Sequence, residues 1–223
     1  ADAPNASDAV HGGFITYTDT QLKAQLSGWV ERDGCRFVKM KIGSDPERDP
    51  ERVKQAKSAI GDHELFVDAN GAFSVKQALN FAHACPDADI RWFEEPVTSD
   101  DLPGLHLMRE RAPDSIEIAA GEYIYTLDDA REMLEASAVD VLQADASRCG
   151  GITGFLQIGA LCEAYHTDLS AHCAPALHRH VGCALPRLRH LEWFHDHVRI
   201  EQMLFDGAPV AHDGVIQPDL DRP

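Results

Sequence analysis

Acidic and imidazole side chains recur along this chain at intervals of 20 to 28 residues, each at or just beyond the end of a short apolar run. They are Asp68, Glu94, Glu122, Asp145, His172 and Glu192. Because one strand, one helix and their loops take about 30 residues, this spacing predicts that each strand-and-helix unit contributes one reactive side chain. Carboxylates and imidazoles bind metal ions and transfer protons. We therefore expect these residues to meet in one active site.

Three of the carboxylates are candidates for a magnesium site. Asp68 ends the segment FVD, Glu94 ends RWFE, and Glu122 follows IEIAAG. Three carboxylates on successive units would repel one another strongly unless a cation lay among them, and hard oxygen ligands suit Mg²⁺. Only one of the adjacent Glu94 and Glu95 can face the interior, and we expect Glu94 to face inward and Glu95 outward.

The segment FVKMKI predicts a pair of inward lysines. Strand alternation places Lys39 and Lys41 on one face, and Val38 and Met40 on the other. If the apolar face packs against helices, both ammonium groups point toward the interior. Repulsion between them is then expected to lower the pKa of one lysine, which makes it a candidate base near neutral pH.

Asp145 and His172 end neighbouring strands in the predicted order. A carboxylate beside an imidazole fixes its tautomer and raises its basicity, so we expect a base with its orienting partner. Arg148 is expected either to form an ion pair at the mouth of the site or to support Asp145, and we assign it to substrate binding. Glu192 is expected on the edge opposite the metal-binding strands.

Eight strand-like runs alternate with helical patterns along the chain. The runs cover residues 11–17, 37–42, 64–68, 90–94, 116–120, 139–144, 168–172 and 190–194. Two helix starts are marked by capping pairs, Ser74 with Gln77 and Thr126 with Asp129. Strict alternation predicts an α/β fold with a parallel sheet, and eight units predict a closed (β/α)8 TIM-type barrel. A doubly wound open sheet is the alternative, but it would scatter the strand ends along a crevice.

The predicted barrel occupies residues 1–205, and the turn-rich segment 206–223 is expected to be irregular. A formal charge of -17 and the absence of any Lys/Arg run argue against a nucleic acid or an anionic membrane as partner. No apolar run approaches the ~18 residues of a membrane span, and the N-terminal segment does not resemble a signal peptide. We therefore expect a soluble protein, with the cytoplasm as its default location.

Other cysteine and histidine residues receive structural interpretations. The six cysteines form no CxxC pair and are expected to be reduced and mostly buried. Cys173 directly follows His172, and strand alternation would turn its side chain away from whatever His172 faces. The histidines of HRH and HDH lack the spaced companions of a zinc site, so we expect surface or supporting roles for them.

Six motifs, in this order and spacing, resemble the enolase superfamily and specifically its mandelate racemase-like branch. They are VKMKIG, VDANG, FEEP, AAGE, QADASRCGG and SAHCAP, and the likeness covers essentially the whole chain. The resemblance implies a Mg²⁺ ion held by Asp68, Glu94 and Glu122. It also implies a two-domain protein in which an α+β capping domain precedes the barrel and closes over its mouth. We expect that N-terminal capping domain to be missing from the present chain, with a consequent loss of turnover.

The resemblance further implies roles for individual residues. Lys41 would be one base, and Lys39 beside it would touch the substrate carboxylate. Asp145 and His172 would form the opposite acid or base. Glu192 matches the residue that hydrogen-bonds the developing enolate. Sites of this superfamily combine a Lys or His base with Mg²⁺, and the resemblance implies the same combination here.

The expected function is therefore that of a Mg²⁺-dependent lyase that removes the α-proton of a carboxylate substrate, with dehydration of an acid sugar as the leading reaction. Racemisation or epimerisation of a 2-hydroxy acid is the enzymatic alternative, because it uses the same residues without a leaving group. A catalytically silent metal-binding barrel is the non-enzymatic alternative. The expected partner is a small carboxylate, and the uncovered mouth predicts a homo-oligomer.

Overall fold

The computed structural model describes residues 18–221, in which parallel strands alternate with α-helices. The strands are β1 (Phe37–Lys41), β2 (Glu64–Asp68), β3 (Ile90–Glu94), β4 (Glu117–Ala120), β5 (Val141–Ala144), β6 (Asp168–Ala171) and β7 (Leu188–Leu191). The helices are α1 (Asp19–Glu31), α2 (Asp49–Ile60), α3 (Val75–Ala84), α4 (Leu102–Arg111), α5 (Leu127–Glu135), α6 (Gly151–Ala164), α7 (Pro175–Val181) and α8 (His195–Leu204). Short 3-10 helices lie at Pro86–Ala88 and Gly182–Ala184.

The strands form one sheet in chain order from β1 to β7, with every neighbouring pair parallel. The predicted alternation is thus confirmed for seven units, and the predicted first strand at 11–17 lies outside the described residues. The last predicted strand is displaced, since β7 is Leu188–Leu191 and not 190–194. Phe194, which made that segment look strand-like, instead occupies the N-cap position of α8.

The sheet is strongly curled, so that side chains from its two edges meet inside. His190 on β7 packs edge-on against Trp92 on β3 at 4.9 Å and against Phe37 on β1 at 6.2 Å between ring centroids. An open doubly wound sheet would hold these strands far apart. No hydrogen-bonded pairing joins β7 to β1 within residues 18–221, so the described part is a curled seven-stranded sheet.

The two faces of the sheet have different compositions because alternate side chains point in opposite directions. The outward side chains, such as Val38 and Met40, pack with the helices in one large apolar core. The inward side chains near the amino ends of the strands form what we call the aromatic floor. It consists of Phe37, Phe66, Trp92 and His190. Above it, toward the carboxyl ends, the inward side chains are charged.

Two helices begin where the sequence predicts. Ser74 with Gln77 and Thr126 with Asp129 both form reciprocal capping boxes, at the starts of α3 and α5. Between Phe205 and Asp221 the chain has neither helix nor strand beyond an isolated bridge of His212 with Val215. None of the described helices combines the length and apolarity needed to cross a membrane.

Candidate active site

Three buried carboxylates converge at the carboxyl ends of neighbouring strands. Asp68 ends β2, Glu94 ends β3, and Glu122 follows β4. Strand register places Asp68 level with Glu94. One oxygen from each of the three lies within 4.8 Å of the other two. We call this set the carboxylate cluster.

Gly121 lets the chain carry Glu122 into the cluster. Its φ of 132° belongs to the region that favours glycine. A Cβ at this position would lie 2.1 Å from the backbone oxygen of Gln143 on the adjacent strand β5. The backbone thus passes close to β5 immediately before Glu122, and only a residue without a side chain permits that approach.

The two inward lysines form ion pairs with two of the three cluster carboxylates and so offset part of their charge. Lys39 Nζ lies 2.6 Å from Glu94 Oε2 and 2.5 Å from Glu192 Oε1, while Lys41 Nζ donates to Asp68 Oδ2. Burial alone would lower the pKa of Lys39, but the charges of Glu192 and Glu94 outweigh it and hold the pKa well above its usual value.

The pKa of Lys41 is also raised. The lowering by burial is outweighed chiefly by the charge of Asp68, despite repulsion from Lys39. The predicted lowering of one lysine pKa is therefore wrong for this arrangement. Carboxylates in direct contact with the ammonium groups have a larger effect than the second lysine.

An aromatic residue that the sequence did not single out orients Glu94. Trp92 precedes Glu94 by two positions on β3, so both side chains point inward. The indole Nε1 donates a hydrogen bond of 3.0 Å to Glu94 Oε2. Glu94 Oε1, in contrast, is buried and has no hydrogen-bond partner among the described residues. The period of two along RWFE was the signal that could have identified Trp92.

Asp145 and His172 form the expected pair beside the cluster. Asp145 follows β5 and His172 follows β6, and His172 Nδ1 lies 3.0 Å from Asp145 Oδ2. Although burial raises the pKa of Asp145, hydrogen bonds from His172 and Ser147 hold it at about 2. Burial lowers the pKa of His172, but the charge of Glu192 and the hydrogen bond to Asp145 raise it above its usual value. Asp145 therefore fixes the tautomer that leaves Nε2 facing the interior.

His172 Nε2 faces the carboxylate cluster. It lies 3.4 Å from Glu122 Oε2 and 3.6 Å from Glu192 Oε2. Lys41 contacts Asp68 at the other end of the same cluster. The three carboxylates thus lie between a lysine on β1 and a histidine after β6.

Arg148 and His178 support the Asp145 segment from two sides. Arg148 Nη1 donates to the backbone oxygen of Glu122 at 2.8 Å, and its Nε lies 3.8 Å from Asp145 Oδ2. His178 is fully buried, and its two ring nitrogens bond to the Ala146 N–H and the Cys173 carbonyl. It therefore ties the ends of β5 and β6 together, which is a supporting role and not a surface one.

Cys173 lies in the site, and the expectation that it faces away from His172 is wrong. Its Sγ lies 3.4 Å from His172 Nε2 and 3.2 Å from Glu192 Oε2. The alternation rule fails because β6 ends at Ala171, and Cys173 and Ala174 have φ values of 48° and 42°. This left-handed turn returns the thiol to the face that His172 occupies.

Glu192 links Lys39 on β1 to the segment that carries His172 and Cys173. Its Oε1 contacts Lys39, and its Oε2 accepts a 3.0 Å hydrogen bond from the Cys173 N–H. Burial would raise the pKa of Glu192, but the charge of Lys39 holds it well below its usual value. Glu192 is therefore an ionised carboxylate in this arrangement.

Glu95 is buried and not exposed as expected. It adopts φ 40°, which again breaks strand alternation directly after β3. Burial, followed by the charges of Glu122 and Asp68, raises the pKa of Glu95 to about 9. Glu95 lines a cavity of about 660 Å³ together with Asn70 and Tyr123. It is a fourth carboxyl group beside the cluster, and its pKa places it in the neutral form.

Comparison with known proteins identifies the family. The family described as enolase C-terminal domain-like matches residues 21–223. The chain belongs to the enolase superfamily. Its structure is similar to that of a mandelate racemase/muconate lactonizing enzyme-like protein from Rubrobacter xylanophilus, with 50% identity and a TM-score of 0.90 over 95% of this chain and 58% of that one. This places the chain in the mandelate racemase-like branch of the superfamily.

Two further comparisons bear on what this enolase-superfamily chain does. It is 33% identical over 86% of its length to the 3,6-anhydro-alpha-L-galactonate cycloisomerase of Streptomyces coelicolor, of which it covers 54%. An L-talarate dehydratase from Polaromonas sp., crystallised with Mg and L-glucarate, matches 93% of this chain with 30% identity and a TM-score of 0.82, and 58% of that chain is covered. The chain thus spans about half the length of the relatives it matches.

The carboxylate cluster of this superfamily member fits a hard divalent cation. All three groups are carboxylates, buried and directed at a common point, and the Glu94 oxygen without a partner is available for coordination. Mg²⁺ prefers such oxygen ligands and commonly keeps positions for water or substrate.

Proposed function

We propose that this chain is the catalytic part of a Mg²⁺-dependent enzyme that removes the α-proton of a small carboxylate, and that the substrate is an acid sugar that loses water. One observation carries the proposal: Lys41 and His172 contact opposite ends of the carboxylate cluster, at Asp68 and Glu122. A substrate bound at the cluster would have a proton acceptor on each side.

The metal would be held by Asp68, Glu94 and Glu122. When bound, it neutralises negative charge on the substrate carboxylate and so makes the α-proton more acidic. The protein's own groups then act on defined atoms. His172 Nε2 takes or returns a proton on one side, and Lys41 Nζ does so on the other.

The state of Lys41 depends on Asp68. In the described arrangement Asp68 raises the lysine pKa. Engagement of the Asp68 and Glu94 charges in cation binding would leave the burial of Lys41 and the repulsion by Lys39 as the remaining influences, and both lower its pKa. This supports the role of Lys41 as a base in the loaded enzyme.

Glu192 and Lys39 act together in this proposal. The family resemblance assigns Glu192 a hydrogen bond to the developing enolate, which requires a proton on the carboxyl group. Its low pKa and its contact with Lys39 favour instead a role in holding the Lys39 ammonium group, which can donate to a substrate oxygen. We assign Lys39 and Arg148 to substrate binding.

Dehydration and racemisation both fit a base on each side of the substrate. In dehydration one group removes the α-proton and the other protonates the departing β-hydroxyl, giving an enol that becomes a 2-keto acid. In racemisation the second group returns a proton to the opposite face of the α-carbon. The similarity to a dehydratase crystallised with L-glucarate favours dehydration.

The same proposal includes closure of the curled sheet into an eight-stranded barrel and a cover over its mouth in the working enzyme. Contacts of His190 with Phe37 and Trp92 support closure, since the edges β7 and β1 already approach one another. Matched relatives about twice as long, and the exposed rings of Tyr123 and Tyr125 near the cluster, support a cover.

The test is a panel of acid sugars and 2-hydroxy acids with Mg²⁺ in D₂O, monitored by proton NMR at the α-carbon. His172→Asn should slow exchange of one stereoisomer by roughly 10²–10⁴-fold and spare the other, and Lys41→Ala should do the converse. His83→Asn and Lys57→Ala are matched controls in the last turns of α3 and α2, which lead to the amino ends of the next strands. A 2-keto acid product indicates dehydration, and the inverted substrate indicates racemisation. Equal losses for both stereoisomers in both variants would contradict the two-base assignment.

A further inference from the structure

We propose that His172, Cys173 and Glu192 form a second cation site, suited to a thiophilic divalent ion such as Zn²⁺, directly beside the carboxylate cluster. The site consists of His172 Nε2, Cys173 Sγ and Glu192 Oε2. All three residues are buried, and their ligand atoms lie within 4.8 Å of one another. The existence of the site does not depend on the proposed lyase activity, whereas its consequence for catalysis does.

The spacing of the three atoms agrees with tetrahedral coordination. The thiol sulfur lies 3.4 Å from the imidazole nitrogen and 3.2 Å from the carboxylate oxygen, which are 3.6 Å apart. Around tetrahedral Zn²⁺, with bonds of about 2.3 Å to sulfur and about 2.0 Å to nitrogen and oxygen, neighbouring ligand atoms lie about 3.3–3.6 Å apart. One ion can therefore contact all three with only small side-chain adjustments.

The ligand types distinguish this site from its neighbour. Thiolate and imidazole ligands select Zn²⁺ over Mg²⁺, whereas three carboxylates suit Mg²⁺. Coordination needs the thiolate form of Cys173 and a free lone pair on His172 Nε2, so binding releases the thiol proton and, where the imidazole is protonated, its Nε2 proton to solvent. Three protein ligands leave a fourth position open to water.

The surroundings hold each ligand in place. Asp145 bonds to His172 Nδ1 at 3.0 Å, the usual arrangement behind a metal-bound histidine. Lys39 occupies Glu192 Oε1 and leaves Oε2 facing the thiol. His172 and Cys173 also line a cavity of about 1190 Å³ through which an ion can enter.

Occupation of this site would inhibit the proposed reaction. The ion would take the Nε2 lone pair of His172, which is the atom assigned to proton transfer. Inhibition by Zn²⁺ should therefore persist in excess Mg²⁺. It should weaken by at least about tenfold in Cys173→Ser, because a hydroxyl is a poor substitute for a thiolate ligand.

Binding is tested without substrate, using Co²⁺ as an optical probe in excess Mg²⁺. The wild-type chain should show the near-ultraviolet thiolate-to-cobalt charge-transfer absorption, and Zn²⁺ should abolish it by competition. Cys173→Ser should lack the band while keeping the Mg²⁺-induced rise in melting temperature. The matched variant at the exposed Cys183, Cys183→Ser, should keep the band.

X-ray absorption on the wild-type chain with one equivalent of Zn²⁺ provides a measurement that needs no variant. One sulfur at about 2.3 Å is expected in the zinc shell. A shell of oxygen and nitrogen alone, or a cobalt band that survives in Cys173→Ser, overturns the proposal. Because no substrate is used, failure of the proposed lyase activity leaves these outcomes unaffected.

Discussion

Glu94 has two oxygens in different environments. Its Oε2 contacts Lys39 and accepts from the Trp92 indole, while its Oε1 has no hydrogen-bond partner within the described chain. A buried carboxylate oxygen without a partner is costly unless a cation or water satisfies it. At the residue scale, Glu94 Oε1 is therefore the strongest indication that the carboxylate cluster binds a cation.

Mg²⁺ should therefore raise the melting temperature, and Glu94→Gln should abolish the rise. At a concentration 100 times the Kd, bound ligand stabilises the folded state by about 2.7 kcal/mol. The quantity to compare is the difference with and without Mg²⁺ within each variant, because loss of the Lys39 ion pair also changes the starting stability. Differential scanning calorimetry gives this difference directly.

Glu117→Gln is the matched control for that experiment. Glu117 starts β4 at the opposite end of the sheet and pairs with Arg189. This variant should keep the full response to Mg²⁺. A melting curve of the wild-type chain that does not change with Mg²⁺ would contradict the ligand set.

Sequence patterns predicted most residues of the candidate site but failed for two residues that lie just after the end of a strand. Asp68 and Glu94 were predictable because each closes a run with strand periodicity. Glu95 and Cys173 were not, because each follows a strand with a positive φ, and the period of two no longer applies there. Such a turn is set by contacts from other strands, which a single sequence does not contain.

At the element scale, the turn after β4 determines where Glu122 lies. Gly121→Ala should lower the free energy of unfolding by more than about 2 kcal/mol, because the new Cβ would meet the Gln143 carbonyl. It should also weaken the Mg²⁺ response by displacing Glu122. Urea unfolding with and without Mg²⁺ measures both effects.

Gly61 offers a matched control for the same substitution. It also has a positive φ, 59°, but its added Cβ would meet nothing within 4 Å. Gly61→Ala should therefore cost only the strain of its own backbone conformation, φ 59° with ψ -126°, on the order of 1–3 kcal/mol, and keep the Mg²⁺ response. Equal effects at the two glycines would show that backbone conformation matters and the approach to Gln143 does not.

The aromatic floor should make the fold sensitive to mild acid. Burial, followed by the charge of Arg189, lowers the pKa of His190 to about 3, so the folded state keeps this ring neutral. Below an unfolded pKa of about 6.5 only the unfolded chain binds the proton. The contribution of His190 to the free energy of unfolding is thus fully present above pH 6.5. It decreases as the pH falls toward 3, by at most ~1.4 kcal/mol per pH unit.

His190→Phe should remove that contribution. The fall in unfolding free energy between pH 7.5 and 5.5, measured by urea titration, should be smaller in this variant by about 1 kcal/mol. His180→Phe, at an exposed position, should keep the wild-type fall. If the fall in unfolding free energy is the same in His190→Phe as in the wild-type chain, the aromatic floor is hydrated enough to hold a protonated His190.

Periodicity predicted the order and parallel direction of the elements, and most strand bounds, from the alternation of β1 to β6 with helices. The displacement of β7 shows the limit of that signal. An aromatic pair, Trp193 and Phe194, has the composition of a strand, but Phe194 serves as the N-cap residue of α8. The curling of the sheet is equally a long-range property, expressed in contacts such as His190 with Trp92.

At the scale of the whole molecule, the end of α8 and the residue that follows it expose apolar side chains. Met203, Leu204 and Phe205 are 78%, 71% and 53% exposed. Contiguous apolar surface of this kind favours association in water. The chain should therefore form a homo-oligomer, and the double substitution Met203→Ser with Leu204→Ser should shift it toward the monomer.

Analytical ultracentrifugation across a range of protein concentrations measures this shift. Leu107→Ser is the control, since Leu107 is an exposed leucine on α4, on a different element. A wild-type chain that sediments as a monomer at every concentration would contradict the expectation.

The hydrogen bond from Trp92 to Glu94 has an optical consequence. Indole fluorescence depends on the polarity and hydrogen bonding around Nε1–H, and here the acceptor is one of the three cluster carboxylates. Events at the cluster should therefore alter the emission of a tryptophan that is buried inside the sheet. With Trp29 and Trp193 replaced by phenylalanine, this protein would contain a single tryptophan, in direct hydrogen-bonded contact with the carboxylate cluster.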